Sequence, residues 1–192
     1  NAFFRYAFEF QFLRNEAYMA NTIYLNNKDS MSMSNGCTDV FLTTIGLSGS
    51  RLAVTDGEKR LILWLLERDQ WVWGRGIVGF NLAEMPWDIE NLESQKQFFC
   101  SVINGVLEES GWETLDYKPN KDLLAPQIRS FRRLIGALEV EDIIVGAKKE
   151  WLEASENEAW RQGRYAFCSR HGILLTDTGC LACHDMSENP PL

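Results

Sequence analysis

The chain has 192 residues, 45% of them hydrophobic and 24% charged, with a formal net charge of −8 at pH 7. That length suits one domain, or one domain with a small appendage, and it suffices for a core that needs neither metal nor disulfides. The acidic balance argues against a general nucleic-acid binder and against docking on anionic membranes, both of which need clustered Lys and Arg; it suits plain solubility or a basic protein partner.

The elements follow in chain order. Phe4, Tyr6, Phe8, Phe10 and Phe12 alternate with Arg5, Ala7, Glu9 and Gln11, a period of two that predicts a strand with one buried face. This opening stretch lacks the basic lead, continuous apolar run and small-residue cleavage site of a signal peptide. A second strand is expected at Thr22 to Leu25, and a loop over the Asn- and Ser-rich residues 26–36. Asp39 to Ile45 is β-branched and aromatic, which reads as a strand. Gly46 to Ser50 then reads as a turn and Arg51 to Val54 as a short strand. Thr55 with Glu58 three residues on forms a capping box, opening a deeply buried helix through Glu67. Ser94 to Glu109 is an amphipathic helix with Phe98, Val102, Val106 and Leu107 on one stripe, closed by Gly111. Trp112 to Tyr117 reads as extended. Asp122 to Leu138 is helical with Pro126 in its first turn, and Ala147 to Tyr165 is a third long helix, with Trp151 and Trp160 as contact residues. Strands first and helices after, with no regular βαβ alternation, give an α+β class: an N-terminal, mostly antiparallel sheet packed by several helices. Residues 1–165 are expected to form one domain, 166–186 a metal-binding element and 187–192 a frayed tail.

The end of the chain carries the strongest chemical signal. It reads Cys168-Ser-Arg-His171, then eight residues, then Cys180-Leu-Ala-Cys183-His184. Ligands at that spacing reach one ion from a tight turn, and zinc takes four such N and S donors in a tetrahedron. Gly172 and Gly179 stand where the chain must turn, leaving room for a short hairpin through Leu174, Leu175 and Thr176. Both histidines of the chain and three of its five cysteines fall within these residues. The expected ligands are Cys168, His171, Cys180 and Cys183, holding a structural Zn2+. His184 is a spare that either replaces Cys183 or stands behind it. The competing reading is a cluster of free, redox-active thiols. The segment resembles the zinc-knuckle and zinc-ribbon elements found in many unrelated proteins, which implies a fold fragment and a metal but no function. Cys37 and Cys100 stand alone, so the cysteines form no disulfide framework and point to a reducing compartment, the cytoplasm.

A second candidate site is Arg75 between Gly74 and Gly76, flanked by Trp71, Trp73 and Trp87. Arg among tryptophans suits a cation–π-lined ligand pocket, but the favoured reading is an Arg stacked at a core edge and paired with Asp69 or Asp88. Gly74, Gly76 and Gly79 match a dinucleotide-binding spacing in letters only, with no strand and helix in the required places. No histidine stands outside the metal cluster, which removes the usual general base for a serine or cysteine nucleophile. The resulting expectation is a non-enzymatic, zinc-containing, bacterial-type interaction protein, in one version an acidic inhibitor or immunity-like partner of a basic protein. The alternatives are an enzyme or binding protein using the Trp71 to Trp87 segment, and nucleic-acid contact through the zinc element.

Overall fold

A computed structural model describes residues 21–69, 79–155 and 157–183. The expected strand over Phe4 to Phe12 lies outside them. Among the described residues are a three-stranded sheet and six α-helices, which gives an α+β fold. Strand β1 (Thr22–Leu25) pairs antiparallel with β2 (Asp29–Ser32), with Thr22 opposite Ser32 and Leu25 opposite Asp29. On its other edge β1 pairs in parallel with the two-residue β3 (Phe80–Asn81), so the sheet runs β2-β1-β3 and is mixed. The expected loop over 26–36 is corrected at its centre. Lys28 N–H donates to the Leu25 carbonyl at 2.9 Å and closes a three-residue turn, so the chain folds back at once into β2.

Helix α1 (Asn35–Leu52) replaces the strand, turn and strand expected between Asp39 and Val54. Ser34 caps it, its hydroxyl accepting from Cys37 N–H. Every residue from Phe41 to Ser50 is buried, so this helix has no solvent face and shows no helical period. Its β-branched residues are accommodated because the Thr44 hydroxyl donates back to the Val40 and Phe41 carbonyls, at 2.8 and 3.1 Å. Its small residues let neighbours approach closely. A Cβ on Gly46 would lie 2.7 Å from Leu66, and one on Gly49 2.3 Å from Ile62. Helix α2 (Asp56–Leu66) has the expected capping box, Thr55 with Glu58, and buries all six residues from Leu61 to Leu66.

Helix α3 (Leu92–Leu107) and helix α4 (Lys121–Ala137) complete a bundle in which α1 touches α2, α3 and α4. Phe98, Val102 and Val106 of α3 are buried as the stripe predicts. Phe99 of the same helix is also fully buried, packing edge-on against Phe131 of α4 and tilted against Trp87. Gly111 adopts a left-handed φ of 86° after α3, and Trp112–Thr114 forms a 3-10 turn instead of an extended piece. Pro126 falls in the second turn of α4, not the first; only the Asp122 carbonyl, near the exposed start of the helix, loses a helical partner.

The long helix expected over Ala147 to Tyr165 is two short ones, α5 (Ala147–Ala154) and α6 (Glu158–Arg161). Asn157 causes the break: its side chain accepts from Ala159 N–H, while its own N–H donates to the Ser155 hydroxyl. The chain is recapped before α5 can continue. No helix among the described residues is long and apolar enough to cross a membrane.

Candidate metal centre

After α6 the chain makes two tight turns that bring four donors together. In the first, Cys168 N–H donates to the Ile173 carbonyl at 2.8 Å and Gly172 N–H to the Cys168 carbonyl at 2.9 Å. His171 N–H points at the Cys168 sulfur, 3.4 Å away. Gly172 has φ of 67°, a left-handed conformation that lets the turn close directly after His171. Phe167 then bridges Leu174 in antiparallel fashion, and Leu175 N–H donates to the Ala166 carbonyl. The second turn exchanges both backbone bonds between Thr176 and Gly179, with the Thr176 hydroxyl donating to the Gly179 carbonyl at 3.1 Å. Gly179, at φ of 98°, delivers Cys180 to the cluster, and Cys183 N–H donates to the Cys180 carbonyl at 3.2 Å.

The donors of Cys168, His171, Cys180 and Cys183 all lie within 4.8 Å of one another and can hold a metal ion. The Nδ1 of His171 is 3.6 Å from the Cys168 sulfur, 3.5 Å from Cys180 and 3.2 Å from Cys183; the Cys168 and Cys183 sulfurs are 3.7 Å apart. Zinc bound tetrahedrally, at about 2.3 Å from sulfur and about 2.0–2.1 Å from nitrogen, requires S···S near about 3.8 Å and S···N near about 3.6 Å. The four spacings given lie near those values, and Nδ1 is the imidazole atom that faces the three sulfurs. Three sulfurs and one imidazole suit zinc and not the oxygen-seeking magnesium or calcium.

Burial pushes the Cys180 thiol up, and the amides of Ala182 and Cys183 facing its sulfur pull the other way. Burial pushes Cys183 up too, reinforced by the adjacent Cys168 and Cys180. Crowded thiolates without a counter-charge are unfavourable; a bound divalent cation reverses that balance and deprotonates them. Cys168, His171 and Cys180 are buried and Cys183 is half-buried, so the centre is closed on most sides.

This element is joined to the helical body. Ile173, Leu174 and Leu175 belong to the same buried cluster as the helices, and Leu174 N–H donates to the Ser50 hydroxyl of α1 at 2.9 Å. Among the described residues Cys183 completes the donor set; His184 lies outside them.

Of the second candidate site only Trp87 lies among the described residues. Trp71, Trp73 and Arg75 lie outside the described residues, as do Gly74 and Gly76. Trp87 is 3% exposed, with its indole N–H donating to the Leu82 carbonyl at 2.7 Å.

The structure adds a polar group that the sequence reading missed. Glu67, at the C-terminal end of α2, accepts from the Trp151 indole N–H at 2.6 Å. Trp151 stacks on Trp160, ring centres 6.0 Å apart, and Arg68 lies over the Trp64 ring at 4.2 Å. Burial raises the Glu67 carboxyl from 4.5 to about 7, against the opposing pull of Arg68 and of the Trp151 bond. The available signal was a carboxylate directly ending the apolar run Leu61 to Leu66.

No protein-family model, no curated protein and no solved structure matches the chain.

Proposed function

We propose that Cys168, His171, Cys180 and Cys183 hold one structural zinc ion, and that the protein is a non-enzymatic interaction domain whose C-terminal end this ion keeps in place. The observation that carries the reading is the spacing of the four donor atoms, 3.2 to 3.7 Å where they touch, which fits a zinc tetrahedron. Four protein ligands leave no open coordination position, so the ion supplies folding energy and no Lewis-acid chemistry. The interaction role is supported by the net charge of −8, which suits a basic protein partner over nucleic acid or membrane.

Metal analysis of protein purified without added zinc tests the first half. One zinc per chain in the parent and none in a Cys180→Ser, Cys183→Ser variant supports the reading; a metal-free parent overturns it. Affinity capture from the native source tests the second. A basic protein whose capture weakens steeply as salt rises supports it; no specific partner at micromolar sensitivity counts against it.

A further inference from the structure

We propose that the cluster is also a peroxide-responsive thiol switch: Cys183 is oxidised first, and Cys168 then closes a disulfide onto it. The proposal rests on the zinc reading above. Three sulfurs converge on one imidazole nitrogen, but they differ in access. Cys168 and Cys180 are 4% and 2% exposed, whereas Cys183 is half-buried. A small oxidant arriving from solvent therefore meets the Cys183 sulfur first. A zinc ion held here would keep its cysteine ligands as thiolates, the nucleophilic form, so the sulfur that is reachable would also be reactive.

A resolving partner is already in contact. The Cys168 sulfur is 3.7 Å from that of Cys183 and comes from the other turn, 15 residues earlier. The chemistry balances with hydrogen peroxide as oxidant. The Cys183 thiolate attacks one peroxide oxygen; an S–O bond forms, the O–O bond breaks, and hydroxide leaves and is protonated to water. Cys183 is now a sulfenic acid. The Cys168 thiolate attacks its sulfur; an S–S bond forms, the S–O bond breaks, and a second hydroxide is protonated to water. Two thiolates have lost two electrons, and one peroxide has become two waters.

The consequence follows from ligand number. With Cys168 and Cys183 joined, only His171 and Cys180 remain of the four donors, too few to retain zinc. The first turn depends on Cys168 at its base, and the strand leaving it is bonded to Ser50 of α1. Oxidation thus loosens the terminal segment up to the Leu174–Ser50 bond that joins it to α1.

The test uses the full chain with Cys37→Ser and Cys100→Ser, so that only the cluster carries thiols. Hydrogen peroxide is titrated in while a chromogenic chelator reads free zinc, and the product is digested and mapped by mass spectrometry. The expected result is loss of the bound zinc in step with peroxide consumed, loss of two hydrogens per chain, and a Cys168–Cys183 cross-linked peptide. Dithiothreitol with added zinc should reverse all three. Cys183→His keeps four ligands and should slow zinc release by about tenfold or more, because only buried sulfurs remain. Retention of zinc in excess peroxide, a cross-link that maps to Cys180, or equally fast release from Cys183→His would each overturn the switch. Zinc missing from the untreated protein would instead sink the metal reading, and the cross-link map would still decide the pairing of the thiols.

Discussion

Over the described residues from Asn35 to Ala137 the chain is ordered by burial. Helices α1 to α4 interlock through Phe41, Phe99 and Phe131, all fully buried, and through glycines that admit a neighbouring side chain. From Phe167 to Cys183 there is almost no regular structure. Two isolated bridges, two left-handed glycines and a few backbone bonds hold a segment whose four donors meet at its centre. The body spreads its stability over many contacts worth little each; on the zinc reading proposed above, the terminal segment concentrates its own in one place. Loss of any one body contact should be graded, and loss of the metal should be abrupt and local.

On the zinc reading, removing the metal gives the largest expected effect, since structural zinc in small elements is worth on the order of 10 kcal/mol of apparent binding free energy. A chelator, or Cys180→Ser, should abolish hydrogen-exchange protection at the amides of Cys168, Gly172 and Thr176. The amides of α1 and α3 should keep most of theirs. Exchange rising equally in both regions would break the contrast and make the metal a keystone of the whole fold.

Glu67 comes next, and its effect depends on pH. Its folded-state carboxyl is raised from 4.5 to about 7, so the stability it contributes is present below pH 4.5 and lost as pH rises through about 7. Glu67→Gln removes the burial cost of the charge and keeps an acceptor for Trp151. At about 1.4 kcal/mol per pH unit, the variant should gain up to about 3 kcal/mol at about pH 8, with the gain shrinking toward about pH 6. Urea melts at the two pH values check this. Metal content should not change. A variant less stable at high pH would mean that the ionised carboxylate holds Trp151, and with it α5, more tightly than burial penalises it.

Gly105→Ala probes the body where α3 meets α1. An added Cβ would stand 2.3 Å from the Ser48 hydroxyl, which is fixed by its bond to the Val102 carbonyl at 2.8 Å. Overpacking of this kind costs about 1–3 kcal/mol. Thermal melting should register the loss while the protein still holds its zinc. A variant that melts normally but loses metal would mean that the two regions are more tightly coupled than their separate means of support imply.

The same contrast decides what the sequence reveals. The donor cluster is legible because its ligands lie within 16 residues and its spacing is a local property of two turns. The Thr55–Glu58 cap is legible for the same reason. Helix α1 is not. Burial on every side erases its helical period, and the residues that make its contacts, Gly46, Ser48 and Gly49, do not register as apolar. Thr43, Thr44 and Ile45 then mimic a strand. The break between α5 and α6 depends on Asn157 recapping the chain, which composition does not distinguish from an ordinary polar position. The Glu67–Trp151 bond joins residues 84 apart, and the parallel pairing of β1 with β3 joins Ile23 to Phe80; nothing short of the packed fold brings either pair together.

The smallest effect offers the cleanest control. Thr55 and Glu58 satisfy one another at the start of α2: the Thr55 hydroxyl accepts from Glu58 N–H at 3.3 Å, and the Glu58 carboxylate accepts from Val54 and Thr55 N–H at 2.8 and 2.9 Å. The cap lies at the exposed end of a helix whose other end is buried among Leu61 to Leu66. Thr55→Ala should therefore cost about 1 kcal/mol, a fall of about 2–4 °C in melting temperature for a chain of this size. Exchange at the start of α2 should rise, while the amides of Cys168 and Gly172 and the zinc content stay as they are. If a loss this small at one exposed helix end also loosens the donor cluster, order in the terminal segment is borrowed from the body through Ser50 and Leu174, and the metal only reports on it. If the cluster is indifferent, the two regions are held by separate means and are joined at that hydrogen bond without depending on it.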